Sequence, residues 1–148
     1  MSLYCINCNE FIESTNKKCK CKTSDLISVT KNMIPVALIA GSLGLQVASA
    51  FCLTETHKKS TSVQAELYFK CTYPEELLQD LPNTWYWTDY VTLEHKVLCS
   101  CLSYEAEYVD TGAMSLDEFV NGVINSLVRY LETFDKGGLT SVLTLLES

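Results

Sequence analysis

Met33-Ile-Pro-Val-Ala-Leu-Ile-Ala-Gly-Ser-Leu-Gly-Leu-Gln-Val-Ala-Ser-Ala-Phe-Cys-Leu53 contains no charged side chain, and its reading decides the fold. As one helix, at about 1.5 Å per residue, these positions would reach across a bilayer. Three features argue for another reading. Pro35 suits the first turn of a helix, Gly41 and Gly44 suit its end, and Gln46 puts a polar group where a span would be apolar. Beyond Gly44 the run Gln46 to Cys52 has the composition of a buried strand. The expectation is a short helix, a glycine stop and a strand, with a membrane-anchored protein as the alternative.

Toward the carboxy terminus the periodicity is plainer. Val63, Ala65, Leu67 and Phe69 alternate with Gln64, Glu66, Tyr68 and Lys70, the pattern of a half-buried strand. Pro74 to Leu78 opens a short helical turn that closes before Pro82, Trp85 to Leu93 is rich in strand formers, and Lys96 to Leu102 predicts a further strand. Ser115-Leu116-Asp117-Glu118 is a capping box, followed by Leu116, Phe119, Val120, Val123, Ile124, Leu127, Val128 and Leu131 at helical spacing. Gly137-Gly138 predicts the stop of that helix, and Leu139 to Leu146 a last amphipathic one that permits a homo-oligomer.

Toward the amino terminus the cysteines speak. Cys5-x2-Cys8 and Cys19-x-Cys21, joined by a short loop, supply four soft donors for one tetrahedral zinc ion. Lys17, Lys18, Lys20 and Lys22 crowd the second pair, offset the thiolate charge and lower the thiol pKa. The alternative is a reduced or disulfide-paired tail. Zinc staples a segment too short to build a core alone. The domain reading is therefore a zinc ribbon over residues 1–25 and an α+β domain over residues 26–148. In that domain a small, mostly antiparallel sheet packs with the helix after the ribbon and two carboxy-terminal helices. The polar, cysteine-rich start does not read as a signal peptide, and free thiols beside a metal knuckle suit a reducing cytoplasm.

Charge excludes one function class. Residues 1–31 carry five lysines against three acids, whereas residues 32–148 carry six basic and fifteen acidic groups, a balance of −9. A domain so acidic repels a phosphate backbone, which argues against general nucleic-acid binding. A single nucleotide in a local pocket remains compatible with it.

The order of these features resembles small zinc-ribbon proteins encoded by bacteriophages and their hosts. In that group the helix–strand joint reads Gly-Tyr-x-Thr, then Ser-Cys-x-Gly-His. Here Gly44-Leu45-Gln46-Val47 and the segment Phe51 to His57 stand in those places. Cys52 and His57 match, the glycine before the histidine is absent, and the spacing is two residues longer. Leu81-Pro82-Asn83-Thr84-Trp85 matches a later Leu-Pro-x-x-Trp segment. The resemblance implies a soluble α+β domain of phage origin and supplies no activity.

Two constellations could carry chemistry. Cys52 with His57 has the residue types of a thiol nucleophile and its base, or, with Cys99 and Cys101, of a second metal site; the plain alternative is small buried hydrophobes. Trp85, Tyr86 and Trp87, among polar neighbours, suit either a core or the rim of a pocket for a planar group, with Lys58, Lys59 and His57 available for a phosphate at the same edge. The chain lacks a glycine-rich phosphate loop and a His-Glu-x-x-His helix. The functional expectation is thus a non-catalytic binder of a nucleotide-like small molecule, such as a host defence signal, acting in counter-defence. The alternatives are a protein–protein inhibitor of a host enzyme, a thiol-dependent enzyme and a membrane-anchored ribbon.

Overall fold

The computed structural model describes residues 2–5, 10–12, 26–93 and 96–147. Among these residues seven strands form one sheet: β1 (Ser2–Cys5), β2 (Glu10–Ile12), β3 (Leu26–Val29), β4 (Val47–His57), β5 (Ser60–Phe69), β6 (Tyr86–Val91) and β7 (Leu98–Val109). Their spatial order is β2-β1-β3-β4-β5-β7-β6. Every neighbouring pair is antiparallel except β3 and β4. A parallel pair needs a crossover, and the uncharged stretch supplies it.

That stretch folds as helix, turn and strand. A 3₁₀ turn, Lys31–Met33, leads into α1 (Ile34–Ser42), with Pro35 in the first turn. Gly44 ends the segment at φ 93, where a side chain would be strained. Gly44 N–H donates to the Gly41 carbonyl at 3.0 Å and Leu45 N–H to that of Ala40 at 3.2 Å, which satisfies the last turn. β4 then runs back beside β3. No helix among the described residues is long and apolar enough to cross a membrane.

Alternation sets the two faces of the sheet. On β5, Thr61, Val63, Ala65, Leu67 and Phe69 are buried, while Ser62, Gln64, Glu66 and Tyr68 point the other way. The buried set joins one core with Val36, Ala37 and Ala40 of α1, with Val123, Ile124, Leu127 and Leu131 of α2 (Leu116–Glu132), and with Leu139 and Leu143 of α3 (Lys136–Glu147). All three helices therefore cover this face, and no described helix covers the other. Each fully buried leucine of α2 contributes about 1.5–3 kcal/mol.

The capping box forms at the start of α2. Glu118 N–H donates to Ser115 Oγ at 3.1 Å, and that hydroxyl donates to Glu118 Oε1 at 3.2 Å. The expected glycine stop does not occur. α2 ends at Glu132, and Gly137 and Gly138 lie in the first turn of α3. Asp135 overrides them: its carboxylate accepts from Gly138 N–H at 3.1 Å and its carbonyl from Leu139 N–H at 2.9 Å. The last helix accordingly begins at Lys136, not at Leu139.

β7 also extends beyond the predicted Leu102 to Val109, because Tyr104, Ala106 and Tyr108 continue the inward alternation. At the amino terminus, β1 pairs with β3, and Tyr4 and Ile27 belong to the main core. The sheet thus continues across the predicted boundary at residue 25.

Candidate interaction site

β6 is an edge strand among the described residues: it pairs with β7 along one side, and no described strand pairs with its other side. Aromatic and β-branched residues favour the extended form here. Trp87 faces the core, 6.0 Å from the Phe69 ring, and donates from Nε1 to the Leu78 carbonyl at 3.4 Å. Tyr90 faces the helix-free side, edge-on to Tyr68 at 4.6 Å, and its hydroxyl donates to the Phe69 carbonyl at 2.6 Å. These anchors hold β6 flat against β7.

Hydrogen bonds tie Thr92 to Lys96 and Val97, just before β7. Thr92 N–H donates to the Val97 carbonyl at 2.9 Å, Val97 N–H to Thr92 Oγ1 at 3.0 Å, and Lys96 N–H to the Thr92 carbonyl at 2.9 Å. Around these bonds four aliphatic side chains stand in solvent: Val91 is 55%, Leu93 97%, Val97 48% and Leu98 51% exposed. Single exposed apolar residues are ordinary, but four at one hairpin form a patch of the kind that marks an interface. Strand edges are commonly guarded by lysine, proline or a bulge. Tyr86 to Val91 has neither lysine nor proline, and its one charge is Asp89. At the foot of the hairpin a cleft of about 560 Å³ opens between Thr72, Tyr73, Pro74, Asp89, Leu98 and Ser100.

The residues singled out in the sequence fall in separate places. Trp85 is 5% exposed and packs on Tyr104 at 5.4 Å, Trp87 is half-buried, and Tyr86 is exposed on the helix-free face. The expectation that Lys58 and Lys59 lie at the same edge is not met. They form the two-residue turn between His57 and Ser60, with Lys58 at φ 56. Ser60 pairs with Val109, whereas Trp87 pairs with Leu102. Seven residues along β7 separate those rows, about 23 Å.

Cys52 and His57 do not meet either. Cys52 pairs with Ala65 and faces the helices, while His57 is on the opposite side of β4, its Nε2 3.2 Å from Glu55 Oε1 with both side chains exposed. Four residues of strand lie between them, a separation of about 16 Å. Cys99 and Cys101 face the helix-free side, away from Cys52, because Cys101 pairs with Tyr68. No group of three or more His, Cys, Asp or Glu among the described residues is placed to hold a metal ion. Cys5 ends β1 and is buried, whereas Cys8, Cys19 and Cys21 lie outside the described residues.

Two of the thiols, Cys52 and Cys101, are also in the wrong state for nucleophilic work. Burial raises the pKa of Cys52. Cys101 is pushed up to about 12, chiefly by burial, with a lowering contribution from Ser103 and a raising one from the Glu66 carboxylate, which accepts from its Sγ at 3.4 Å. Both stay protonated at neutral pH, so neither supplies a thiolate.

A stability prediction follows from Cys101. The folded state keeps the thiol proton that the unfolded chain releases. The contribution is complete below the unfolded pKa, 9.0, and is lost as pH rises toward about 12. Burial shifts Tyr68 and Tyr90 in the same direction. Urea unfolding at about pH 8 and about pH 11 should show a marked alkaline loss, reduced in Cys101→Ala. Equal pH dependence in the two proteins would contradict the burial of this thiol.

No family model, curated protein or solved structure matches this chain.

Nothing in the sequence marks Val91, Leu93, Val97 and Leu98 as candidates. Val91 and Leu98 belong to strands and look like core residues until the register places them at the last pair of the sheet.

Proposed function

We propose that this chain is a non-catalytic protein-binding module of phage origin that works in the cytoplasm. Its edge strand β6 and the apolar hairpin beyond it engage a host protein. The observation that carries the reading is the cluster of four exposed aliphatic side chains beside an unguarded strand edge. An extended segment of the partner adds to β6 through main-chain hydrogen bonds, and its apolar side chains cover the hairpin. The charge balance of −9 over residues 32–148 favours a basic partner over a second copy of this chain.

Phosphate recognition by Lys58 and Lys59 beside the tryptophans is left out of this reading, because the register separates them. Zinc remains in it as a structural ion held by Cys5, Cys8, Cys19 and Cys21. Its support is the soft donor set together with the β1–β2 pairing, in which Cys5 is the register partner of Glu10. Four residues, Cys8 among them, join these two positions, a length that suits a metal knuckle.

Native mass spectrometry of gently purified protein tests both parts. One zinc per chain is expected, lost in Cys8→Ser. Because Tyr4 and Ile27 share the main core, that loss should also lower Tm. Absence of zinc from the intact protein contradicts the ribbon. A stoichiometric protein partner supports the binding reading, and a homodimer as the sole assembly contradicts the choice of partner.

A further inference from the structure

The face of the sheet that no described helix covers has a composition of its own. Strands β4 to β7 contain no lysine or arginine, and the register puts all four of their glutamates, Glu55, Glu66, Glu105 and Glu107, on this side. Among the described residues the one ion pair that any of them makes is that of Glu55 with His57. Glu55, Glu105 and Glu107 are exposed, whereas Glu66 is half-buried and held in place. Its Oε1 accepts from Gln64 Nε2 at 2.9 Å, and its Oε2 from Cys101 Sγ at 3.4 Å and Ser103 Oγ at 3.5 Å. A carboxylate fixed in this way loses little freedom when a cation reaches it. Apolar groups stand beside these charges. One row across the sheet reads Phe51, Glu66, Ser103 and Tyr86, and the next Leu53, Gln64 and Glu105. The Phe51 ring lies 5.6 Å from that of Tyr68, and Leu53 is 51% and Tyr86 47% exposed. Carboxylates interleaved with apolar side chains, and free of lysine and arginine, are complementary to an apolar stripe flanked by cations.

We infer that this face is a docking surface for a basic amphipathic helix of another protein. The helix lies over β4, β5 and β7 as a helical layer on the side opposite α1, α2 and α3. Its apolar stripe covers Phe51, Leu53 and Tyr86, and its lysine or arginine side chains meet Glu66 and Glu105. A second copy of this chain does not fit, because it offers no described helix of that kind: α2 carries Arg129 against Asp117, Glu118 and Glu132, α3 one lysine against one glutamate, and α1 no charge. The surface does not depend on the interface at β6. Leu98, at the hairpin, and Glu105 are seven residues apart on β7, about 23 Å, so a different molecule can occupy each.

The test is a titration of the full chain into a fluorescent, end-capped peptide of about 18 residues, leucine on one helical face and lysine elsewhere. Two controls have the same length: one with the same composition but its leucines spread around the helix, and one with glutamate in place of lysine. The amphipathic basic peptide should bind saturably, one per chain, and at least tenfold more tightly than either control. Leu53→Asp and Glu66→Gln should each weaken it at least tenfold and keep Tm within a few degrees. If Glu66→Gln lowers Tm further, Glu105→Gln, at an exposed position, takes its place. Asp117→Asn combined with Glu132→Gln removes two exposed charges from the helical layer and should leave binding unchanged. Leu93→Asp combined with Val97→Asp should leave it unchanged as well, which keeps this surface distinct from the hairpin. No saturable binding, equal binding of the spread-leucine peptide, undiminished binding by folded Leu53→Asp, or an equal loss in the helical-layer variant would each overturn the inference. Self-association of the chain that Leu53→Asp abolishes would overturn the choice of occupant.

Discussion

Replacing Trp85 with alanine is expected to lower the stability of the protein by about 3–5 kcal/mol. The side chain is almost wholly buried, packs on Tyr104 and belongs to the single core that joins sheet and helices. Truncation removes a large apolar area and leaves a cavity that the surrounding strands cannot close. Tyr86→Ala, one residue on, should change stability by no more than about 0.5 kcal/mol, because that ring is exposed on the helix-free face. Chemical unfolding of the two variants side by side makes the comparison. A loss for Trp85→Ala as small as that for Tyr86→Ala would mean that Trp85 is a surface residue held for contact and not a member of the core.

The second large effect concerns the hairpin. Leu93→Asp combined with Val97→Asp should leave Tm nearly unchanged, since both side chains stand in solvent. The same pair should weaken partner binding by about 100-fold or more. Covering two such side chains is worth about 1.5–3 kcal/mol each, and each factor of ten in affinity requires about 1.4 kcal/mol. The partner would be identified from a cell extract with the unaltered protein, and its affinity then measured for both forms. Equal affinity would remove the hairpin from the interface. A large drop in Tm would show that these residues support the fold instead.

Much of the fold was legible because local signals agreed with one another. Pro35 and Gly44 bracket α1, Ser115 and Glu118 open α2, and the alternation from Val63 to Phe69 gives β5. The misses have physical causes. Gly137-Gly138 looks like a stop, but a carboxylate two residues upstream caps the next helix before the glycines can end the last one. The outer half of β7 contains Glu105 and Glu107, weak strand formers, which mask the inward row of Tyr104, Ala106 and Tyr108. The candidate sites were less legible than the fold. Cys52 and His57 are close in sequence, but their strand parity puts them on opposite faces. Lys58 and Trp87 are distant along the chain, and only the register of β5 and β7 shows that they are distant in space as well. Exposure of Val91 and Leu98 is equally a matter of register, since the last pair of an edge hairpin has no layer above it.

The central claim is that the β6–β7 hairpin is the surface that meets another protein. Site-specific photo-crosslinking in living cells tests it most directly, with a photoactivatable phenylalanine analogue at position 93 and, as a control, at the exposed position of Glu105. The account predicts a discrete adduct of this chain with one other protein from position 93. It should be absent from position 105 and lost when Val97→Asp is added. No adduct, the same adducts from both positions, or an adduct with a second copy of this chain alone would contradict it.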